Sequence, residues 1–331
     1  MSQFFGRVLP FLVAVLLLIY VSKDIQFYAI QQQFRQADYR WICLVFLVSI
    51  GSFFCRGIRW QQALLALGHH PSIFRATVAL TAGTIASMII PGSGEVTRCA
   101  TLQRTDHVPF SHGVGSVVAE RVLDLFMLVL VLLLSFALEL SRMQTYLAGL
   151  SFTAPNKLLG LITGLVVLSI VLLYWLYQFP VIREHPFTIR IIGFSRGLWE
   201  GIIAIRRLPN PGFFVFLTLL NQLLSLSTIY FLLLSVSSTH SLPPTATLTV
   251  LAVASLGGLA VPTQGGIGTY HFLVSRALVL YGLSTTEGAL LATFMHAVGF
   301  GFNLLFSSLS FLIVPVLVQQ RKQFDRPEPD A

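Results

Sequence analysis

Charge is what this chain has least of. Only 10% of its 331 residues are Asp, Glu, Lys or Arg, against about 25% in ordinary soluble domains. A water-facing fold of this length needs far more polar surface, so a large soluble enzyme is excluded. Disorder is excluded as well, because it requires low hydrophobicity and high charge, and here 55% of residues are apolar or aromatic. Cysteine is scarce: Cys43, Cys55 and Cys99 all lie in or beside apolar stretches, so no disulfide framework is implied. Catalytic signatures are missing too. There is no HExxH, no paired CxxC, no GxSxG and no P-loop. The eight histidines are scattered without metal-ligand spacing. Gly265-Gly266-Ile267-Gly268 has no βαβ context that would make it a dinucleotide fingerprint. The expectation is therefore a chain without cofactor or metal, and not an enzyme.

What is present is apolar sequence in long runs, with a mean hydropathy of +0.79. The net charge of +8 has no soluble basic face to sit on, so nucleic acid is not an expected partner. In a polytopic protein such bases fix orientation and touch anionic headgroups. Apolar segments long enough to cross a bilayer fall at 4–22, 41–62, 111–138, 157–179, 211–236 and 286–318. The first reads as a retained span, because no small-residue cleavage pattern follows it. A cytoplasmic N-terminus and C-terminus would put most bases inside, among them Arg56, Arg59, Arg75, Arg98 and Arg104. Lys23, Arg35, Arg40, Arg142 and Lys157 would then lie outside, which satisfies the positive-inside rule. In the 179–210 loop, Phe187, Ile191, Phe194, Leu198, Ile202 and Ile205 recur at helical steps among arginines, the pattern of an interfacial helix or of an ordinary helical connector.

Two further apolar regions, 73–105 and 245–283, are cut by Pro91-Gly92-Ser93-Gly94-Glu95 and by Pro262-Thr263-Gln264-Gly265-Gly266-Ile267-Gly268. Pro and Gly interrupt the helical ladder and free backbone groups that hydrocarbon cannot satisfy. Each break is preceded by a span: Trp41 lies 50 residues before Pro91, and Phe213 lies 49 before Pro262. Each is followed by a long helix. The predicted fold is an all-α polytopic membrane protein, one transmembrane domain over 1–331. It has about six full transmembrane helices and two Pro/Gly-broken, re-entrant hairpins in an inverted repeat, with units at 41–138 and 211–318. Discontinuous helices of such repeats form substrate sites near the midplane, and helix N-termini opening after Ser93 or Gly265 would offer N–H groups to an anion. The competing expectation is a pair of Pro-kinked spans without a site.

Ionisable residues gather at the first break. Glu95 and Arg98 share a helix face, and on the next span His112, Ser116, Glu120 and Asp124 repeat every four residues, with Arg121 beside Glu120. Asp124 lies about 18 Å along the helix from His112 at 1.5 Å per residue. Charges at that depth must pair or face water. The pairs open to them are Glu95 with Arg121, or Arg98 with Glu120 and Asp124. These pairs could serve architecture alone, or the arginines could also bind a phosphate. In the second unit Asn221, Ser225 and Thr228 share one face, as do His296, Gly299 and Asn303, and both faces read as packing surfaces. His271 and Arg276 are weaker candidates, and His69-His70 is expected in a cytoplasmic loop.

The string Pro91-Gly-Ser-Gly-Glu-Val-Thr-Arg98, then Glu120-Arg121-Val-Leu-Asp124, then Pro262-Thr-Gln-Gly-Gly-Ile-Gly, resembles the lysylphosphatidylglycerol synthase transmembrane region, also called the flippase-like or UPF0104 family. The resemblance covers essentially the whole chain. It implies a bacterial or archaeal inner-membrane protein similar to the N-terminal flippase half of the multiple peptide resistance factor. Those larger proteins add a soluble domain that aminoacylates phosphatidylglycerol. This chain ends 13 residues after Val318 and is expected to lack that domain. Family members often carry a base between the Pro and the Gly-Glu, where this chain has Gly92-Ser93.

Carried onto matching positions, the resemblance makes Glu95, Arg98, Glu120, Arg121 and Asp124 site candidates, with Gly94, Gly265 and Gly266 at the breaks and His112, His296 and Asn303 secondary. The function this implies is translocation of an anionic phospholipid or glycolipid. The alternatives are a membrane-embedded lipid-modifying enzyme and a non-transporting partner of an envelope-lipid biosynthesis enzyme. Without a P-loop, any driving force must be a gradient or the consumption of product.

Overall fold

The computed structural model describes residues 12, 15–21, 23, 27–149, 208–261 and 263–324. The expected span at 157–179, the amphipathic helix of the 179–210 loop, Pro262, the tail from 325 and most of the 4–22 span lie outside the described residues. Every regular element among those described is α-helical or a short 3-10 turn. From residue 27 on, the α-helices in chain order are α1 (Phe27–Gln36), α2 (Tyr39–Leu65), α3 (Ile73–Ile89), α4 (Ser93–Asp106), α5 (Phe110–Gly149), α6 (Pro211–Leu234), α7 (Pro244–Ala260), α8 (Thr269–Val279) and α9 (Thr285–Phe324). Four of them, α2, α5, α6 and α9, are long and apolar enough to cross a membrane, and they coincide with four of the six expected spans. Their outward faces carry Leu47, Leu133, Phe216, Leu223 and Leu312, each more than half exposed. A soluble surface does not tolerate apolar area on that scale, whereas hydrocarbon does. Residues 27–36, expected in an outer loop, form a helix that packs on α9.

The two breaks have local causes. Pro disfavours the helical conformation of the residue before it, and Ile90 is extended (φ −128°, ψ 111°). Gly92 then takes φ +81°, a left-handed turn that any side chain would strain, and α4 begins. The second break is longer than expected. Val261 leaves α7 in a non-helical conformation, and Gly265, Gly266 and Gly268 all have positive φ. As a result the following helix opens at Thr269, not directly after Gly265. The helices flanking the breaks have 17, 14, 17 and 11 residues, about 26, 21, 26 and 17 Å at 1.5 Å per residue. All four are shorter than the roughly 30 Å hydrocarbon core.

Within each break the helices fold back on each other. Gly83 of α3 meets Gly94 of α4 so closely that a Cβ on Gly83 would lie 2.5 Å from the Gly94 carbonyl oxygen. A Cβ on Gly94 would collide with Ser87 Oγ. Gly257 of α7 packs in the same way on Thr269 and Leu273 of α8. Gly83→Ala or Gly94→Ala is therefore expected to pry the first hairpin open at a cost of about 1–3 kcal/mol. The cost is read as a lower melting temperature in detergent. Gly115→Ala, whose Cβ would meet nothing within 4 Å, should leave melting unchanged.

Two buried cores form. Trp60, Leu64, Ala79, Cys99, Leu102 and Val117 close one. Val250, Val274, Leu278, Phe294 and Met295 close the other, which also takes in Val45 from α2. Between the units α2 lies against α6, α3 against α9 and α5 against α7. The α2–α6 pair is antiparallel, since Trp41 stacks on Phe231 while Ser52 and Cys55 bond Asn221 and Leu217. The 3-10 turn at Gln264–Gly266 touches α3, so the second break approaches the first hairpin.

Candidate functional site

Three helices bring charge to one place. Arg56 and Arg59 come from α2, Glu95 and Arg98 from the first turns of α4, and Glu120, Arg121 and Asp124 from α5. Together with Leu80, Gly83, Thr84, Ser87 and Gly94 they line a cavity of about 230 Å³. Glu120 lies at its back, 3% exposed, between two guanidiniums that are almost as buried. Arg98 Nη1 reaches its Oε2 at 2.8 Å, and Arg59 Nε approaches Oε1 at 3.4 Å. Arg98 also lies over the Trp60 ring at 4.7 Å, and Trp60 Nε1 donates to Ser116 Oγ at 2.9 Å. Nearer the mouth, Arg121 Nη2 pairs with Glu95 Oε1 at 2.6 Å, and its side chain is 59% exposed.

The pairings sort the alternatives. Glu95 with Arg121 and Arg98 with Glu120 both form. Asp124 does not pair with Arg98. It takes Arg59 Nη2 at 2.8 Å and Arg121 Nη1 at 3.5 Å. Arg56 and Arg59, counted above among the cytoplasmic bases, lie inside α2, and Arg59 is 4% exposed. Their signal was available: two arginines one turn apart within an apolar span mark an intramembrane site.

Four guanidiniums thus face three carboxylates in this cavity, which leaves one formal positive charge. It falls on Arg56. Among the described residues Arg56 has no carboxylate partner. Its guanidinium lies 4.9 Å from the Phe53 ring centre, and its Nε is buried without a hydrogen bond. Arg56 is partly buried, so its guanidinium is open to the cavities, and partial desolvation without a carboxylate partner favours an anion beside it.

Arg56 is also where three cavities meet. The charged one continues into a groove of about 850 Å³ between α5, α6 and α7. Its long wall is apolar, with Val118, Val122, Leu125, Leu128, Val131, Leu251 and Leu259, and it ends on Arg56, Arg59, Glu95, Arg121 and Asp124. Arg56, Asn221 and Ser225 of the groove also line a chamber of about 250 Å³, completed by Ser49, Ser52, Phe53, Thr228 and Asn303. The face Asn221–Ser225–Thr228 is therefore more than a packing surface. Only the Ser52–Asn221 contact, at 3.3 Å, joins it to α2 by a side-chain hydrogen bond.

The remaining candidates have other places. Gly94 lines the charged cavity, but its N–H donates to Ser87 Oγ at 3.0 Å and is not offered to a ligand. Gly265 packs on Phe300, and its carbonyl accepts from His296 Nε2 at 2.8 Å. Gly266 faces His296. These three sit at the second break, outside the three cavities described. His112 Nδ1 meets His69 Nε2 at 2.8 Å, away from the cluster. His271 Nδ1 accepts the Gly268 N–H, and Arg276 donates to Tyr20 Oη. Among the described residues no group of His, Cys, Asp and Glu could hold a metal ion.

Neither curated proteins nor solved structures give a match to this chain. A family does, and its match spans the broken hairpin and the Glu120–Asp124 stretch of α5 that build the cavity. With residues 7–307 matched, the chain belongs to the family of the lysylphosphatidylglycerol synthase TM region, and it is a multi-pass membrane protein.

Proposed function

We propose that this chain moves a lipid with an anionic headgroup across the membrane it spans, the inner membrane of its cell. The observation that carries the reading is the continuity of an apolar groove with a charged cavity holding one guanidinium in excess of its carboxylates. An amphiphile has that chemistry. Its chains would lie against Val118, Leu125, Leu128 and Leu259, and its phosphate would neutralise Arg56, with Arg121 at the mouth as the second donor. Arg98, committed to Glu120, positions the carboxylate and does not bind the ligand.

The arrangement of the helices supports a rocking mechanism. Units α2–α5 and α6–α9 have the same order: long helix, two short helices, long helix. Exchanging α2 with α6, α3 with α7 and α5 with α9 maps the contact of α3 with α9 onto that of α7 with α5. The antiparallel α2–α6 pair makes the exchange an inversion. On this reading the short helices are re-entrant hairpins from opposite faces, and the site sits where inverted-repeat carriers hold substrate.

The test is translocation in liposomes of a phosphatidylglycerol labelled on its acyl chain, read by quenching of the outer leaflet. The wild-type protein should abolish the protected fraction, and Gly258→Phe should restore it. A Cβ on Gly258 meets nothing within 4 Å, and the residue lines the groove, so the ring is expected to project into the route, with melting measured on the same preparation to confirm the fold. No acceleration by the wild-type protein defeats the transport reading. A wild-type rate in Gly258→Phe defeats the groove as the route.

A further inference from the structure

We propose that the 250 Å³ chamber beside Arg56 is a subsite for a neutral polyhydroxyl group of sugar size, carried on the phosphate that Arg56 holds. The inference rests on the lipid reading above and specifies its headgroup. The chamber lies midway along α2, α6 and α9. Its hydroxyls have already spent their protons: Ser49 donates to the Val45 carbonyl, Ser225 to Asn221 and Thr228 to Leu224, at 2.7–2.9 Å. Each can then only accept. Asn303 donates its amide N–H to the Gly299 carbonyl at 2.8 Å, which leaves its Oδ1 to accept as well. Against these acceptors stand three donor groups, Asn221 Nδ2, the second N–H of Asn303 Nδ2 and the Arg56 guanidinium.

A wall rich in acceptors, with a few donors, matches hydroxyl groups, each of which gives one hydrogen bond and takes others. An ammonium or a metal ion would also suit the acceptors, but Arg56 lies on the same wall and no carboxylate does. Two like charges a few ångströms apart in a low-dielectric site repel strongly. An apolar moiety would leave the hydroxyls and amides desolvated without partners. Phe53, with the Arg56 guanidinium over its ring, is the apolar member of the lining.

The measurement is equilibrium binding to the full chain in detergent of short-chain phosphatidylinositol, phosphatidic acid and phosphatidylethanolamine. Phosphatidylinositol is expected to bind about tenfold tighter than phosphatidic acid, the equivalent of one net neutral hydrogen bond. Thr228→Val and Asn303→Leu should erase that advantage while leaving phosphatidic acid binding and melting temperature unchanged. Soluble inositol 1-phosphate should compete only at far higher concentration. Equal binding of phosphatidylinositol and phosphatidic acid by the wild-type protein overturns the subsite and spares the lipid reading, whereas no binding of any of the three overturns the lipid reading itself. Tighter binding of phosphatidylethanolamine makes the chamber a cation site and overturns the proposal. Competition by inositol 1-phosphate at lipid concentrations overturns the assignment to a lipid headgroup.

Discussion

Glu120→Ala is expected to be the most damaging single substitution in the protein. The carboxylate is the partner of Arg98 at 2.8 Å and a neighbour of Arg59 at 3.4 Å, and all three side chains are more than nine-tenths buried. Its removal leaves Arg98 buried with no counter-charge, a defect that costs about 3–5 kcal/mol. The variant should express poorly and melt far below the wild-type protein in a detergent thermal-unfolding assay. The double variant Arg98→Met, Glu120→Gln should recover most of the loss, because it removes one charge of each sign and leaves Arg59 its shorter bond to Asp124. A stable Glu120→Ala protein would mean that the arginines do not depend on this carboxylate. Failure of the double variant to recover would show that the pair does more than balance charge.

Arg56→Met is expected to show the opposite profile. No carboxylate loses a partner, since Arg56 pairs with none among the described residues, and an unbonded buried Nε disappears. The protein should therefore fold with unchanged or higher melting temperature. Transport and binding of anionic lipids should fall by about 10- to 100-fold, the worth of a charge-assisted hydrogen bond. Arg56→Lys keeps the charge but loses the planar fork, so it should fall between the two. The rate of labelled phosphatidylglycerol translocation reads the effect, with melting measured on the same preparations. Normal transport by Arg56→Met would remove this residue from the ligand site. Taken together, the two variants separate arginines that hold the fold from one proposed to meet the ligand.

The contrast between Arg98 and Arg56 also shows where reading the chain stops. From the sequence, Arg98 is the stronger candidate, because it lies three residues from Glu95 beside a Pro/Gly break. Arg56 lies in an apolar run, close enough to the end of its span to pass for a flanking base. The choice between them depends on which helices face each other. Arg59 and Asp124 are 65 residues apart, and Arg98 and Glu120 are 22 apart. Only the packing of α2 and α4 on α5 brings those pairs within bonding distance. Likewise Asn221, Ser225 and Thr228 form a visible polar face, but whether such a face meets another helix or a cavity depends on how far α6 sits from its neighbours.

Composition and local chemistry alone determined that this chain is an all-α membrane protein with two broken helices and a buried charged cluster. Those features follow from residues acting on themselves or on near neighbours: apolar runs that must leave water, prolines that cannot donate, glycines that allow left-handed turns. The tertiary structure decided which guanidiniums are spent on carboxylates, which one is left over, and that it stands where three cavities join. Partner choice is an interhelical distance, and a few ångströms of packing divide an ion pair from an unanswered charge.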